Sequence, residues 1–288
     1  MTIKHLCIGH CCHDLVDKSY ILGGSASYSS LLSSSWGLDT CLLTSVGDDF
    51  LFQKRFEKLG INFQNVLADH TTIFYNQTID NNRIQFLKSR ANTITAEALS
   101  SSNLDYDIVQ FCPIADEIAY DIFAVFPMSL KVASIQGFLR QWDEKGLVSL
   151  KEMNWQWLEH MDIIILSTED IAEAPHYLNF IIEQCDHVIV TDNENGATVY
   201  YKNESYHYPS IPSQVIDATG AGDTFATAYA IDYYQNKNIT SACSFAHSAA
   251  SCIIENTGLS HIPQLSEILS RQKKYLSDLK VHSSNKES

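Results

Sequence analysis

Apolar residues in this chain come in short runs. "HLCIGH", "DTCLLTSVG", "DIVQFCP", "LKVASIQG", "MDIIILST" and "HVIVTDN" are strand-like, and segments of helix length such as "ASYSSLLSSSW" and "DFLFQKRFEKLG" fall between them. That alternation predicts βαβ units and a parallel sheet covered by helices. "DIIIL" and "HVIVT" are almost continuously apolar, as strands covered on both faces should be. The expected fold class is α/β, doubly wound, with a central mostly parallel sheet and helices on both faces.

One stretch departs from this rhythm. "TTIFYNQTIDNNRIQFLKS", Thr71 to Ser89, carries β-branched and aromatic residues on either side of "DNN", which predicts a hairpin or small antiparallel sheet. An insertion of that kind in an α/β core suggests a lid over the strand ends. Residues 1–280 are therefore read as one domain with a lid insertion at about 71–90. The polar "VHSSNKES" at 281–288 is read as a frayed tail.

Composition narrows the function. Of 288 residues, 34 are acidic and 19 basic, a formal charge of −15, and no basic patch interrupts it. A nucleic-acid partner is not expected. No run reaches the roughly 18 apolar residues that span a bilayer, and "MTIKHLCIGH" lacks the pattern of a signal peptide. The expectation is a cytoplasmic protein, without a membrane partner, that acts on small molecules.

The eight cysteines are scattered, with no CxxC pair, and read as reduced core thiols. "HCCH", His10 to His13, invites a metal reading. Side chains on an extended segment alternate sides, however, and four in a row do not converge on one tetrahedral ion. The stretch is read instead as a strand end at the mouth of a pocket.

The most distinctive run is "DATGAGDTF", Asp217 to Phe225, followed by the helix-forming "ATAYAIDYYQ". Glycines at 220 and 222 let successive N–H groups face one anion, and the helix that follows adds its positive end. Asp223, at the rim of that cradle, is placed to take a proton from a hydroxyl attacking a phosphoryl group. The same residues also read as a cap and a turn, with Thr219 or Asp223 capping the helix. Spacing alone leaves these two readings level.

The run resembles the C-terminal signature of the ribokinase-like (PfkB) family of carbohydrate kinases, Asp-Thr-x-Gly-Ala-Gly-Asp, with Ala218 in place of the usual threonine. "GGSASYSSLLSSSWGLDTCLLTSVGDDF" is similar to the family's N-terminal element, and "KLGIN" and "VIVTDNENGATVYY" also fit, so the resemblance covers nearly the whole chain. It implies a ribokinase-like fold with a small β lid and an ATP- and Mg²⁺-dependent kinase. Asp223 would be the catalytic base, and the amides of Gly220, Ala221 and Gly222 the anion hole. Asp14 would hold substrate hydroxyls, with Gly23 and Gly24 letting the sugar approach the backbone. "LSTED" stands where the family has Asn-x-x-Glu, so Glu169 or Asp170 would order magnesium through water, with Ser167 replacing the asparagine. "TDNENG" would border the nucleotide through Thr191, Asn193 and Gly196, with Thr219 beside it. "FAHSAASCIIENTGLSHIP" would flank adenine, with His247 and Gly258 at the family positions. Some relatives are activated by a monovalent cation such as K⁺, which here would rest on carbonyls near Asp217 and Thr219.

Asp14, Glu169, Asp170 and His247 have plainer readings too, as a strand-end acid, helix-start carboxylates and a packed histidine.

The departures from the family bear on the acceptor. Only eight residues separate Asp14 from Gly23, so the first lid segment, 14–22, is short, and the lid is expected to reduce to the Thr71–Ser89 hairpin. Tyr28 replaces an asparagine that many family sugar kinases place after the first glycine. The short lid, "GGSASYSS" and "QGFLRQWDEKGLV" resemble plant-type inositol kinases more than ribokinase itself, and Arg140 in the last could clamp a phosphate or carboxylate, or only pair with a surface acid. The expected activity is phosphorylation of a small sugar or polyol. The alternatives are a nucleoside kinase of the same fold, with Tyr28 stacking on the base, and a degenerate binder acting as a sensor. The expected state is a monomer or weak homodimer.

Overall fold

A computed structural model of the chain describes residues 2–79, 82–99, 104–153 and 155–284. In chain order its strands and α-helices are β1 (Lys4–Ile8), β2 (Cys12–Val16), β3 (Ser19–Gly23), α1 (Ser25–Ser35), β4 (Asp39–Thr44), α2 (Gln53–Lys58), β5 (Asn62–Asn65), β6 (Thr72–Ile79) and β7 (Asn82–Ser89). There follow β8 (Ile108–Phe111), β9 (Leu130–Ser134), β10 (Arg140–Trp142), β11 (Val148–Leu150), β12 (Ile163–Ser167), α3 (His176–Gln184) and β13 (His187–Thr191). The chain closes with β14 (Ala197–Tyr201), β15 (Glu204–Tyr208), α4 (Ala221–Asn236), α5 (Ile239–Ile253) and α6 (Leu265–Ser284).

Nine strands form the central sheet in the order β15-β14-β13-β12-β9-β8-β1-β4-β5. The pairs from β13 to β5 are parallel, and β14 and β15 add an antiparallel edge. The continuous apolar runs expected to be covered on both faces are so: Ile163 to Leu166 and Val188 to Val190 are buried. On one face α1, α4 and α5 pack with Leu31, Phe225 and Phe245; on the other lie Phe123, Phe138, Trp157 and Ile181.

The second face differs from the expected rhythm. Between β8 and β12 the connections are 3₁₀ turns at Tyr120–Val125 and Gln156–His160 and the β10–β11 hairpin, not α-helices. Pro113 and Pro127 bias their neighbours away from helix, and aromatic residues fill the space by bulk instead of by helical repeat.

The hairpin expected at Thr71–Ser89 is present as β6 and β7, while its turn residues, 80 and 81, lie outside the described residues. The small sheet is larger than that hairpin, because the short segment after β1 folds into β2 and β3 and the order is β3-β2-β6-β7. Asp17 and Lys18, both at positive φ, make the tight turn that lets so few residues supply two strands. The C-terminal helix α6 runs to Ser284, into the stretch read as a tail, and residues 285–288 lie outside the described residues.

The eight cysteines are free and buried. In "HCCH" the histidines go separate ways: His10 bonds to Thr72 Oγ1 and the Asn92 carbonyl, both at 2.8 Å, whereas His13 stacks on Tyr20 and Phe50. Among the described residues no helix is long and apolar enough to cross a membrane.

Candidate active site

A cavity of about 530 Å³ opens where β9, β12 and β13 end, at Ser134, Ser167 and Thr191. Carboxyl ends of parallel strands are the usual place for a ligand in such sheets. The floor is the segment 217–223, and the small sheet supplies Cys12, Asp14, Phe74 and Gln85 on the far wall.

The floor is built by α4. This helix is buried over most of its length, from Thr224 to Asp232, so its direction is set by packing. Its first turn, at Ala221, Gly222 and Asp223, is the part left open to the cavity. Gly220 precedes it in the left-handed conformation, φ 81°, and a Cβ there would overlap the ring of Tyr28. At Gly222 a Cβ would meet nothing within 4 Å, so that position faces open space. The N–H groups of a first turn have no partner inside the helix. Ala221 N–H already donates to the Ala218 carbonyl at 3.2 Å, which makes it the least available of the three amides expected in the anion hole.

Asp217 holds the floor in place. Its carboxylate accepts from Thr219 N–H at 2.9 Å and from Gly258 N–H at 3.0 Å, tying the glycine run to the turn after α5. Val215 and Ile216, just before it, are each 61% exposed.

The strand-end wall joins the two expected magnesium residues differently. Asp170 is buried and accepts from Ser167 N–H at 2.7 Å and Gln136 Nε2 at 2.9 Å. Burial pushes its carboxyl up from the ordinary range, and these hydrogen bonds and Arg140 pull it partly back. Glu169 is exposed, lines the cavity and accepts from Asn193 Nδ2 at 3.1 Å. Gln136 also accepts from Arg140 Nη2 at 2.7 Å, while Arg140 Nη1 donates to the Ile114 carbonyl at 2.8 Å. The guanidinium also lies over the Phe74 ring, which anchors Arg140 at the cavity wall.

The structure thus brings Asp14, Arg140, Glu169, Asp170, Thr191, Asn193, Thr219, Gly220, Ala221, Gly222 and Asp223 to one cavity. Gly23 is packed against the Asp14 carboxylate, which a side chain there would displace. Four expected residues are placed otherwise. Gly24 yields its side-chain space to the backbone at His10 and Cys12, and Gly196 to Tyr208 and Ser210. His247, 6% exposed, packs between Phe225 and Tyr275, and burial drops its pKa to about 4; it does not line the cavity. Tyr28, 3% exposed, lies under Gly220 and is not presented for stacking on a base. Its hydroxyl is held protonated by burial and by Asp223, Asp14 and Asp217 around it. Gly258 sits beside the cavity as the donor to Asp217.

Sequence reasoning missed Gln136 and Gln85, for which no motif stands out, and the tethering role of Asp217. An aspartate two residues before a turn amide was the available signal for the last.

Residues 148–265 match the profile of the pfkB family of carbohydrate kinases. The chain is 25% identical over 270 residues to a nucleoside kinase of Methanocaldococcus jannaschii, covering 88% of this chain and 86% of that protein. It is 24% identical over 279 residues to an inositol 3-kinase of Arabidopsis thaliana, covering 88% and 74%. Among solved structures, a pyrophosphate-dependent ribokinase-family kinase complexed with a pyrophosphate analogue and myo-inositol superposes with a TM-score of 0.78 at 20% identity, covering 93% of this chain and 99% of that one. A fructokinase of Xylella fastidiosa with bound ATP gives 0.79 at 17%, covering 94% and 98%. The chain has the fold of these ribokinase-family structures, and its residues 148–265 are similar to the pfkB family of carbohydrate kinases.

Proposed function

We propose that the protein transfers the γ-phosphoryl group of ATP to a hydroxyl of a small sugar or polyol. The observation that carries this reading is the position of Asp223: in the open first turn of a buried helix, at the floor of a cavity whose opposite wall holds a second carboxylate, Asp14.

Asp14 would bind acceptor hydroxyls and orient one of them toward Asp223. Asp223 would accept that hydroxyl's proton as its oxygen bonds to phosphorus and the bond to the departing diphosphate breaks. The first-turn amides and the positive end of α4 would stabilise the charge on the moving group. Catalysis on this account is mainly positioning and electrostatics, with Tyr28 and Asp217 holding the floor rigid.

The residues present fit a triphosphate. The space over Gly222 is open, and Thr191, Asn193 and Thr219 offer polar groups along the wall. Among the described residues no cluster of three His, Cys, Asp or Glu could hold a metal by itself. That suits Mg²⁺, which commonly takes one carboxylate, phosphate oxygens and water. Glu169 would hold it through water, and the bound ion would neutralise phosphate charge.

One observation favours a second donor. His247, expected to flank adenine, and Gly196, expected to border the nucleotide, are packed away from the cavity, and a donor with no base, pyrophosphate, would lose nothing by that. Phosphorylation assayed with ATP and with pyrophosphate across inositols, hexoses, pentoses and nucleosides tests the reading. No transfer to any of them from either donor would overturn it.

A further inference from the structure

Gln136 follows the end of β9 and opens the 3₁₀ turn Gln136–Leu139. The backbone of that turn is fixed from below. Ile135, Phe138 and Leu139 are buried, and Gly137 lies so close to the backbone of Pro113 and Ile114 that a Cβ there would overlap it. The Gly137 carbonyl also accepts from Asp116 N–H at 3.0 Å. Gln136 itself is exposed and lines the cavity, so its side chain stands on a rigid base and reaches into the site.

Its amide lies between opposite charges. Oε1 accepts from Arg140 Nη2 at 2.7 Å, and Nε2 donates to Asp170 Oδ1 at 2.9 Å. A guanidinium only donates and an ionised carboxylate only accepts, so a neutral amide satisfies both where an acid or an amine would repel one of them. Each partner leads to a different part of the cavity. Arg140 lies over the Phe74 ring of β6, and its charge reaches β2: burial pushes the Cys12 thiol up, and Arg140 pulls it partly back. Cys12 is two residues before Asp14 on that strand. Asp170 leads the other way. Its Oδ2 accepts from Ser167 N–H at 2.7 Å, and its own N–H donates to Ser167 Oγ at 3.2 Å, which closes the turn that carries Glu169.

We propose that Gln136 is a positioning residue for phosphoryl transfer, bracing the acceptor wall through Arg140 and the turn that carries Glu169 through Asp170. One neutral side chain thereby ties the end of the cavity that holds the acceptor to the end that holds the phosphates. The inference rests on the kinase reading above.

The test uses Gln136→Met, which is neutral and keeps neither hydrogen bond, alone and combined with Arg140→Met or with Asp170→Asn. Two quantities are read: the KM for the best acceptor among myo-inositol, fructose, ribose and adenosine, and the calorimetric Kd for ATP with Mg²⁺. Gln136→Met should raise both by about fivefold or more. In the Arg140→Met background it should change the acceptor KM by less than about twofold, and in the Asp170→Asn background the ATP Kd by less than about twofold, because the partner it holds is already gone. If Asp170→Asn folds poorly, the Arg140 cycle decides. Effects that multiply in the double variants would show that Gln136 touches a substrate directly and would overturn the positioning role, as would an unchanged KM and Kd in Gln136→Met. A wild-type protein that transfers phosphate to none of these acceptors would overturn the kinase reading and this inference with it, whereas multiplied effects in an active protein overturn this inference alone.

Discussion

The ring of Tyr28 occupies the space where a side chain on residue 220 would lie, so that Gly220 and Tyr28 form one unit beneath the floor of the cavity. Gly220 is also held at φ 81°. Gly220→Ala is therefore expected to cost about 1–3 kcal/mol of stability and most of the activity. Gly222→Ala, with open space around it in the first turn of α4, should unfold within about 0.5 kcal/mol of wild type and still lose turnover, because the methyl would stand where a phosphate approaches. Urea unfolding and initial rates on both variants separate these outcomes; full activity in Gly222→Ala would contradict the cradle.

Asp217 makes two hydrogen bonds that span the floor, to Thr219 and Gly258. Asp217→Ala should lower stability by about 2–4 kcal/mol and raise the KM for the phosphoryl donor more than the KM for the acceptor. Equal effects on both would show that the tether does not belong to the donor side.

The two acids of "LSTED" are separable by stability. Asp170→Asn sets an amide NH2 against either the Ser167 N–H or the Gln136 amide and should destabilise the fold by about 1–3 kcal/mol, whatever it does to the rate. Glu169→Gln should leave stability within about 0.5 kcal/mol and raise the Mg²⁺ concentration needed for half-maximal rate several-fold, since Glu169 is exposed at the cavity wall. An unchanged magnesium requirement in Glu169→Gln would remove it from the metal site.

Buried histidines predict an acid-sensitive fold. Burial lowers His5 and His187 to about 3 and His247 to about 4. Above about pH 6.5 folded and unfolded states are both neutral at these sites and nothing is lost. Below it the unfolded chain binds protons that the fold excludes, and stability falls as pH drops toward 4. Each histidine contributes up to about 1.4 kcal/mol per pH unit. Unfolding free energies at pH 7.5 and 5.5 should show this fall, and His247→Asn should show a shallower one.

The parallel sheet was legible because buried strands such as Ile163–Ser167 need apolar residues on both faces, and that leaves an unbroken run. The floor of the site was legible for a related reason: two glycines before a helix and an acid at its start form a local pattern. The β2–β3 pair was missed because its strands are short and their pairing with β6 is non-local. Tyr28, His247 and Gly196 show the limit of reading by resemblance, since each stands at a family position but its side-chain space is used for packing. Gln136 was not legible at all, because only the fold brings Arg140 and Asp170 to either end of its amide.

The central claim is that Asp223 takes the acceptor's proton. Its most direct test is the rate of phosphoryl transfer by Asp223→Asn on the best acceptor from the panel, alongside the donor's Kd. The account predicts a loss of about 10²–10⁴ in kcat with donor binding nearly unchanged. Turnover equal to wild type would contradict it.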